Sequence, residues 1–452
     1  QYRRAMITGR RAFPFDGGCD TIGLWPTNPG WHKVPPEHPT LAEILLEHGY
    51  ATGLVADTYH MFKPTQNYTR GMASWDFIRG QETDNYRSGP IGAVDLTKYT
   101  RKGITKASGL GVIVQYLLNM QDRRGEMDYL PAKVFTSAIR FLEDNKDNRP
   151  FFLWVDCFDP HEPYDPPREF ADGYDPDWDE DWEPIYGIPN DADEKIQRRV
   201  KALYAGSCAF VDKQVGRLLD ALDALALADD TLVLVTSDHG CEMWDHGAQL
   251  KGDHKCRYRC NNEILCLARL PGRDFAGTRV SGFVMNHDFF PTILNYLGVA
   301  HPPVDGLDVA PLVTGERDAL RDHVVTGWAG GGSGIYACVR DHAFNYSCNH
   351  QSDDLDEHLF DLRADSGETA NVAADRPEVV AEYRGRLESF LGEPLPAERD
   401  CPVAEREERI GKPAAARIVD DKLQDGRLPV VAGRFGRVAG NRRGGNRERG
   451  IV

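Results

Sequence analysis

Residues 150–167 read PFFLWVDCFDPHEPYDPP and residues 231–240 read TLVLVTSDHG, and these two stretches decide the fold. Each opens on an apolar run of strand length and ends in a loop dense in Asp, His, Pro or Gly. Phe151–Val155 is expected as a buried strand, and the prolines after Asp159 force an open loop. Thr231–Ser237 is likewise expected as a buried strand, turning sharply at Asp238–Gly240. Working outward, Leu41–His48 has helical periodicity with Gly49 as its stop, and Ala51–Asp57 (ATGLVAD) reads as a strand. Pro131–Asn145 reads as a helix, Asp191–Leu227 as a long helical segment with a break, and Ile264–Arg269 as an apolar strand closed by Pro271-Gly272. Asp288–Leu297 reads as a helix ended by Gly298. This alternation predicts an α/β fold, with a large mixed or mostly parallel sheet covered by helices on both faces. Ligands in such folds sit beyond the carboxyl ends of strands, where both DPHEP and SDHG fall.

The pattern shifts after about residue 315. Gly332–Cys338 and Ala343–Cys348 read as short strands, HLFDLRADSGETANVA (358–373) as a strand and turn, and Glu378–Leu391 as a helix. The expected organisation is a catalytic domain at 1–315, a smaller C-terminal α+β domain at 316–395 and an extended tail at 396–452. The tail is rich in Pro, Gly, Arg and charge and is expected to contact a partner subunit in a homo-oligomer. FADGYDPDWDEDWEPIYG (170–187) is acidic and aromatic without a period and reads as a surface excursion over the cleft, a lid. The opening QYRRAMITGRR reads as the middle of a site, so further sequence is expected upstream of Gln1.

Composition removes several classes. A net charge of −17 disfavours non-specific nucleic-acid binding, and no apolar run approaches bilayer length. Neither nucleic acid nor a membrane is therefore an expected partner; an anionic small molecule held by a local cluster of cations is. Ten cysteines in 452 residues are too sparse for a disulfide framework, and Cys256 and Cys260 fit no recognised zinc spacing. They read as ordinary thiols, and the expected location is cytoplasmic. No dinucleotide fingerprint, phosphate-cradling lysine loop or G-x-S-x-G elbow occurs, which argues against dehydrogenase, P-loop and serine-esterase chemistry.

The titratable residues carry the chemical reading. Asp238 and His239 stand side by side in a post-strand loop, where a carboxylate oxygen and an imidazole nitrogen suit a divalent metal. A turn-capping Asp beside a surface His is the bland alternative. Thirteen residues after Asp238, Lys251 lies in HGAQLKGDHK, where an ammonium beside a metal stabilises charge on a transferred group; a solvated charged loop is the alternative. His161, in DPHEP, is placed to donate a proton to a leaving oxygen or to bond a bound anion, against a structural His in a proline turn. Arg3 or Arg4 is suited to clamping an anionic oxygen. His60 follows a strand and faces the same cleft or merely caps it. Arg79, in WDFIRGQE, is the weakest candidate.

Taken together, RRAMITGR (3–10), PTLAEILLEHGYATGLVAD (39–57), PFFLWVDCFDPHEPYDPP (150–167), VTSDHG (235–240) with Lys251, ARLPG (268–272), HDFFPTILNYLGV (287–299) and LFDLRADSGETANVA (359–373) resemble the sulfatase family of the alkaline phosphatase superfamily. The resemblance runs to about residue 395. It implies a two-domain α/β hydrolase with one divalent metal, Ca2+ in sulfatases and Mn2+ or Zn2+ in relatives acting on phosphodiesters and phosphonates. By the family pattern Asp238 and His239 resemble metal ligands, Lys251 the lysine contacting the substrate anion, and His161 the histidine near the leaving oxygen. Arg3 resembles the arginine that closes the nucleophile motif, and His60 a histidine of the same pocket.

The implied activity is hydrolysis of sulfate esters through a covalent intermediate; the alternative is phosphodiester or phosphonate monoester hydrolysis on the same scaffold. A binding protein with a decayed site is the reading from another class. Three departures from the family pattern matter. The nucleophile, a cysteine matured to formylglycine in the family, falls just upstream of Gln1, as do the family's first-strand aspartates. Gln1-Tyr2 replace the usual Pro-Ser, which leaves a serine or threonine nucleophile open. Asp57, in ADTYH, stands where a basic residue is usual.

Overall fold

The structure is a computed structural model that describes residues 1–15, 33–63, 66–330 and 334–397. Its centre is a parallel sheet made from the short apolar runs. Strand β1 (Ala51–Ala56) lies between β2 (Ser74–Phe77) and β3 (Phe151–Asp156), with Ala51 opposite Phe151 and Ala56 opposite Asp156. Side chains alternate across a strand, so β1 serves two cores. Leu54 and Ala56 face Ile7, Ala42 and Trp154 beneath the helices Tyr2–Thr8 and Leu41–Glu47. Val55 faces Val134, Phe135 and Ala138 of the helix Leu130–Asn145. Gly53 leaves room there for the Phe141 ring. Each fully buried aliphatic side chain contributes about 1.5–3 kcal/mol.

Local signals set the ends of these elements. Thr40 accepts the Glu43 amide and Glu43 returns a carboxylate to the Thr40 amide, a capping box, and Gly49 takes φ +84° just beyond the helix. The long helix is unbroken, contrary to expectation. It runs from Glu194 to Ala224, started by Asp193 accepting the Ile196 amide at 2.9 Å. No proline interrupts it, and its length packs against both the Leu130–Asn145 helix and the segment before it.

Two further expectations need correction. Strand β4 (Val233–Thr236) is half-buried throughout, and β7 (Cys266–Arg269) is mostly exposed. The reason is that they pair antiparallel with each other as a separate ladder, leaving Leu267 59% exposed. Between them lie the two-residue strands β5 (Glu242–Met243) and β6 (Gln249–Leu250). The acidic, aromatic stretch 170–187 is not a loose excursion. Trp178, Trp182 and Ile185 are buried with Ile113, Leu117 and Leu203, and Asp175 is buried against Arg198, while Tyr174, Asp177, Asp179, Glu180 and Asp181 face solvent.

The C-terminal part is an antiparallel sheet of β8 (Val324–Gly330), β9 (Gly334–Arg340), β10 (Phe344–Asn349) and β11 (His358–Asp361), in the order β11-β10-β9-β8. The helix Pro377–Leu391 packs on it through Val380, Tyr383, Leu387 and Leu391, and Phe13 and Phe15 join the same core. The architecture is thus mixed α/β with a parallel sheet flanked by helices and a smaller C-terminal sheet domain. The expected tail lies outside the described residues from 398 onward. Among the described residues, eight cysteines are free thiols and no helix is long and apolar enough to cross a membrane.

Candidate functional site

Because β1, β2 and β3 run parallel, their carboxyl ends emerge on one edge, and the loops there bring the candidates together. Arg3, in the first turn of the Tyr2–Thr8 helix, spans the ends of β3 and β4. Its Nε and Nη2 donate to Asp156 at 2.7 and 3.0 Å, and its Nη1 donates to Asp238 Oδ2 at 3.3 Å. Thr58, beyond β1, donates to the same Asp156 carboxylate at 2.5 Å. A planar guanidinium holding two carboxylates fixes both loops in one register.

Asp238 and His239 do turn toward a common space. His239 Nδ1 lies 2.8 Å from the Gly240 carbonyl, which can only accept, so the proton sits on Nδ1 and Nε2 keeps its lone pair. That Nε2 lies 3.7 Å from Asp238 Oδ1. A carboxylate oxygen and an imidazole nitrogen at this distance suit a shared cation. Burial works to raise the Asp238 carboxyl, but His239 and Arg3 outweigh it and hold it well below the usual carboxylate range.

Lys251 and His161 meet directly. Lys251 Nζ is 2.9 Å from His161 Nε2 and donates to both oxygens of Glu162 at 2.9 and 2.7 Å. His161 Nδ1 donates to the Glu162 carbonyl at 2.7 Å, which makes Nε2 the acceptor from the ammonium. Burial pushes His161 down to about 4, and Lys251 adds to that. Glu162 is held at about 2, because His161 and Lys251 overcome the upward effect of its burial. Lys251 stays above its ordinary value: burial opposes the charge, and Glu162 outweighs burial. Lys251 is bracketed by left-handed Leu250 (φ +72°) and Gly252 (φ +82°), and the leucine pays about 1–2 kcal/mol for that conformation.

His60 joins the same edge from the turn after β1. Its ring centre lies 6.1 Å from that of Phe158, which in turn lies 4.1 Å from that of His161 with the planes tilted by 35°. Burial holds His60 far below its ordinary value, and Lys63, His161, Arg3 and Lys251 are close enough to push it further. Asp238, His239, Lys251, His161, Arg3 and His60 therefore gather at the carboxyl edge, whereas Arg79 pairs with Asp84 beyond β2. Arg4 does not join them in the same way: it is buried in its helix, with its carbonyl accepting Thr8 Oγ1.

Sequence reasoning missed the residues that hold the candidates in place. Glu162 stood inside DPHEP, and its signal was adjacency to His161. Asp156 was the polar end of an apolar strand. Asp57, Cys157 and Asp159 form a further group, with ligand atoms within 4.8 Å of one another. Asp57 accepts the Phe158 amide at 2.7 Å, and Gln81 donates to both Asp57 and Asp159. Burial raises Asp57 well above the carboxylate range and lifts Asp159 to about 7. This group is a second set of donors that could hold a cation, beside the Asp238–His239 pair.

The fold and this edge define a class: an α/β protein that brings metal-type donors, a lysine and a histidine together at one end of its strands. The chain belongs to the sulfatase family, whose model matches residues 2–299. It is 28% identical over 288 residues to an arylsulfatase of Clostridium perfringens, covering 56% of this chain and 55% of that protein. The chain spans about half the length of the curated relatives it matches first. By structure it resembles the phosphonate monoester hydrolase of Agrobacterium radiobacter, with TM-score 0.62 and 21% identity over 86% of this chain and 85% of that one. A protein solved with its substrate D-glucosamine-2-N,6-O-disulfate gives TM-score 0.63 and 17% identity over 86% and 87%.

Proposed function

We propose that this chain is the catalytic part of a hydrolase that cleaves sulfate esters. The observation that carries the reading is the Lys251–His161–Glu162 cluster meeting the Arg3–Asp238–His239 loop at one strand edge. Asp238 and His239 would hold a divalent metal, Ca2+ in this reading. When bound, the ion supplies a Lewis acid that polarises a tetrahedral anion.

The chain's own residues do the rest. Lys251 presents an ammonium that Glu162 keeps charged and aimed, ready to contact a non-bridging oxygen of the ester. His161 accepts a hydrogen bond from Lys251 at Nε2, which holds its ring beside the departing ester oxygen while Lys251 keeps its charge. Arg3 keeps Asp238 ionised and fixes its second oxygen. His60, neutral at its depressed pKa, offers a hydrogen bond without added charge. These groups act when they stabilise developing charge more than the ground state. The nucleophile and the remaining metal ligands are expected upstream of Gln1, with formylglycine the sulfatase form.

Hydrolysis of a phosphodiester or phosphonate monoester is the second reading, with Mn2+ or Zn2+. It is favoured by the likeness to a phosphonate monoester hydrolase structure and by Asp57 standing where the family usually places a cation. The test is a parallel assay of the full-length protein on an aryl sulfate, a phosphate diester and a phosphonate ester, with intact mass reporting any aldehyde at the nucleophile. Highest kcat/KM on the sulfate is expected. Comparable or greater turnover of the phosphorus esters would shift the assignment to the second reading, and turnover of none would end both.

A further inference from the structure

One strand of the C-terminal sheet reaches the candidate site. Along β8 the side chains alternate between two faces. Val325 and Gly327 share the face that meets the C-terminal core, and at Gly327 a Cβ would fall 2.3 Å from the Phe13 ring. Trp328 therefore points the other way, and its indole lies against the two loops that carry Asp238–His239 and Lys251.

Two contacts fix that indole. Its ring centre is 5.8 Å from that of His239 with the planes at 83°, an edge-to-face arrangement. It is the one aromatic ring against His239 among the described residues. Its pyrrole side lies over Gly252, where a Cβ would stand 2.8 Å from Nε1 and 3.1 Å from Cε2. Gly252 also has φ +82°, so backbone and indole together require glycine directly after Lys251.

A metal-ligating imidazole needs its free nitrogen aimed and its ring kept from turning, and the groups around it supply both. In His239 the hydrogen bond from Nδ1 to the Gly240 carbonyl, at 2.8 Å, aims one edge of the ring. Asp238, 3.7 Å from Nε2, is a fellow donor for the ion and not a brace. The wall that stops the ring from swinging is Trp328, supplied by a different sheet from the one whose loops carry the ligands.

We propose that Trp328 is a positioning residue for the candidate metal site: its indole holds the His239 imidazole so that Nε2 points into the space shared with Asp238. The inference rests on the metal reading of that pair and not on which ester is cleaved. Removing the wall lets the imidazole turn and lowers the fraction of molecules with both donors in place. Titration calorimetry of the full-length protein with Ca2+, and separately with Mn2+, compares the wild type with Trp328→Ala, Trp328→Leu and Trp328→Phe, with a denaturant melt of each. Trp328→Ala is expected to weaken the metal about 10–100-fold, the scale for loss of a group that orients a ligating histidine. Trp328→Leu keeps apolar bulk without a flat ring; it should weaken the metal as alanine does, and it decides the case if the alanine variant does not fold. Trp328→Phe restores a ring and should recover most of the affinity. Turnover of 4-nitrophenyl sulfate by Trp328→Leu should be low at limiting metal and return as the metal is raised to saturation, whereas a purely structural role would depress it at every metal concentration. Wild-type affinity in both the alanine and leucine variants, no recovery in Trp328→Phe, or a loss of turnover that saturating metal does not restore overturns the inference. Metal binding that follows the expected order with no ester turned over by the wild type ends the hydrolase reading and leaves this inference standing. No metal binding by the wild type overturns it together with the metal assignment of Asp238 and His239.

Discussion

The carboxyl edge of the parallel sheet and the C-terminal antiparallel sheet are both rich in ion pairs, yet they use charge differently. In the C-terminal sheet the pairs close on themselves. Arg384 donates from Nε to Glu357 at 2.8 Å, Arg257 from Nη2 to Asp356 at 2.6 Å and Arg386 from Nη1 to Asp341 at 3.0 Å. Glu368 collects Arg340, Asn345 and the Arg259 amide. Such pairs clamp the sheet to the loops above it. At the strand edge the arrangement is open: His239 Nε2 and Asp238 Oδ1 face each other as acceptors, and Lys251 donates to a histidine. Burial of charge therefore does not mark function by itself. Acceptors left facing each other do.

That contrast can be broken at its strongest point. Glu368 is fully buried, so Glu368→Ala leaves Arg340 with only the exposed Glu263 carboxylate, leaves the Asn345 amide and the Arg259 N–H without this acceptor, and should cost about 3–5 kcal/mol of unfolding free energy. Denaturant melts check the stability, and kcat per folded molecule should be unchanged. A selective loss of kcat without loss of stability would erase the distinction between the two regions. Lys251→Ala tests the other side. Turnover of an aryl sulfate should fall about 10²–10³-fold, the scale of one lost charge-stabilising donor. Full activity in that variant would remove the site assignment. Because Glu162 loses its partner, stability is to be measured alongside.

Much of this was legible in the sequence, for a physical reason. Short apolar runs ending in Asp, His and Pro mark strands whose ends open into loops, and PFFLWVD, ATGLVAD and VLVTSDHG all did so. What the sequence could not convey was pairing across the chain. Arg3 reaching Asp156, or Lys251 reaching Glu162, depends on which strand ends are adjacent, and that follows only from the β2-β1-β3 order. Burial of β4 was overread because an apolar run reports what a strand prefers, while its exposure depends on what covers it. The aromatic residues of 170–187 were underread because Trp178 and Trp182 lack the period of a helix or strand and still bury themselves.

A smaller effect sharpens the comparison through pH. His161 has a folded pKa of about 4, below its ordinary 6.5, so between those values the unfolded chain binds more protons than the folded one. Stability should be complete above about pH 6.5 and decline as the pH falls toward 4. His60, also depressed, adds to the same slope. His161→Asn should remove about one proton from the uptake on unfolding in this window, read from chemical melts at several pH values. An unchanged slope would mean that His161 is not held neutral by its surroundings.

The smallest effect lies on the C-terminal helix, where Glu382 accepts from Arg386 at 2.6 Å one turn away. Glu382 is 58% exposed, so water screens the pair and the two long side chains lose rotamer freedom in making it. Glu382→Ala should shift stability by no more than about 0.3–0.5 kcal/mol and leave turnover unaltered. The variant matters because Arg386 keeps its second partner, the more buried Asp341. If a denaturant melt gave a loss comparable to Glu368→Ala, the pairs of this sheet would act as one network, and their closure as separate clamps would have to be given up.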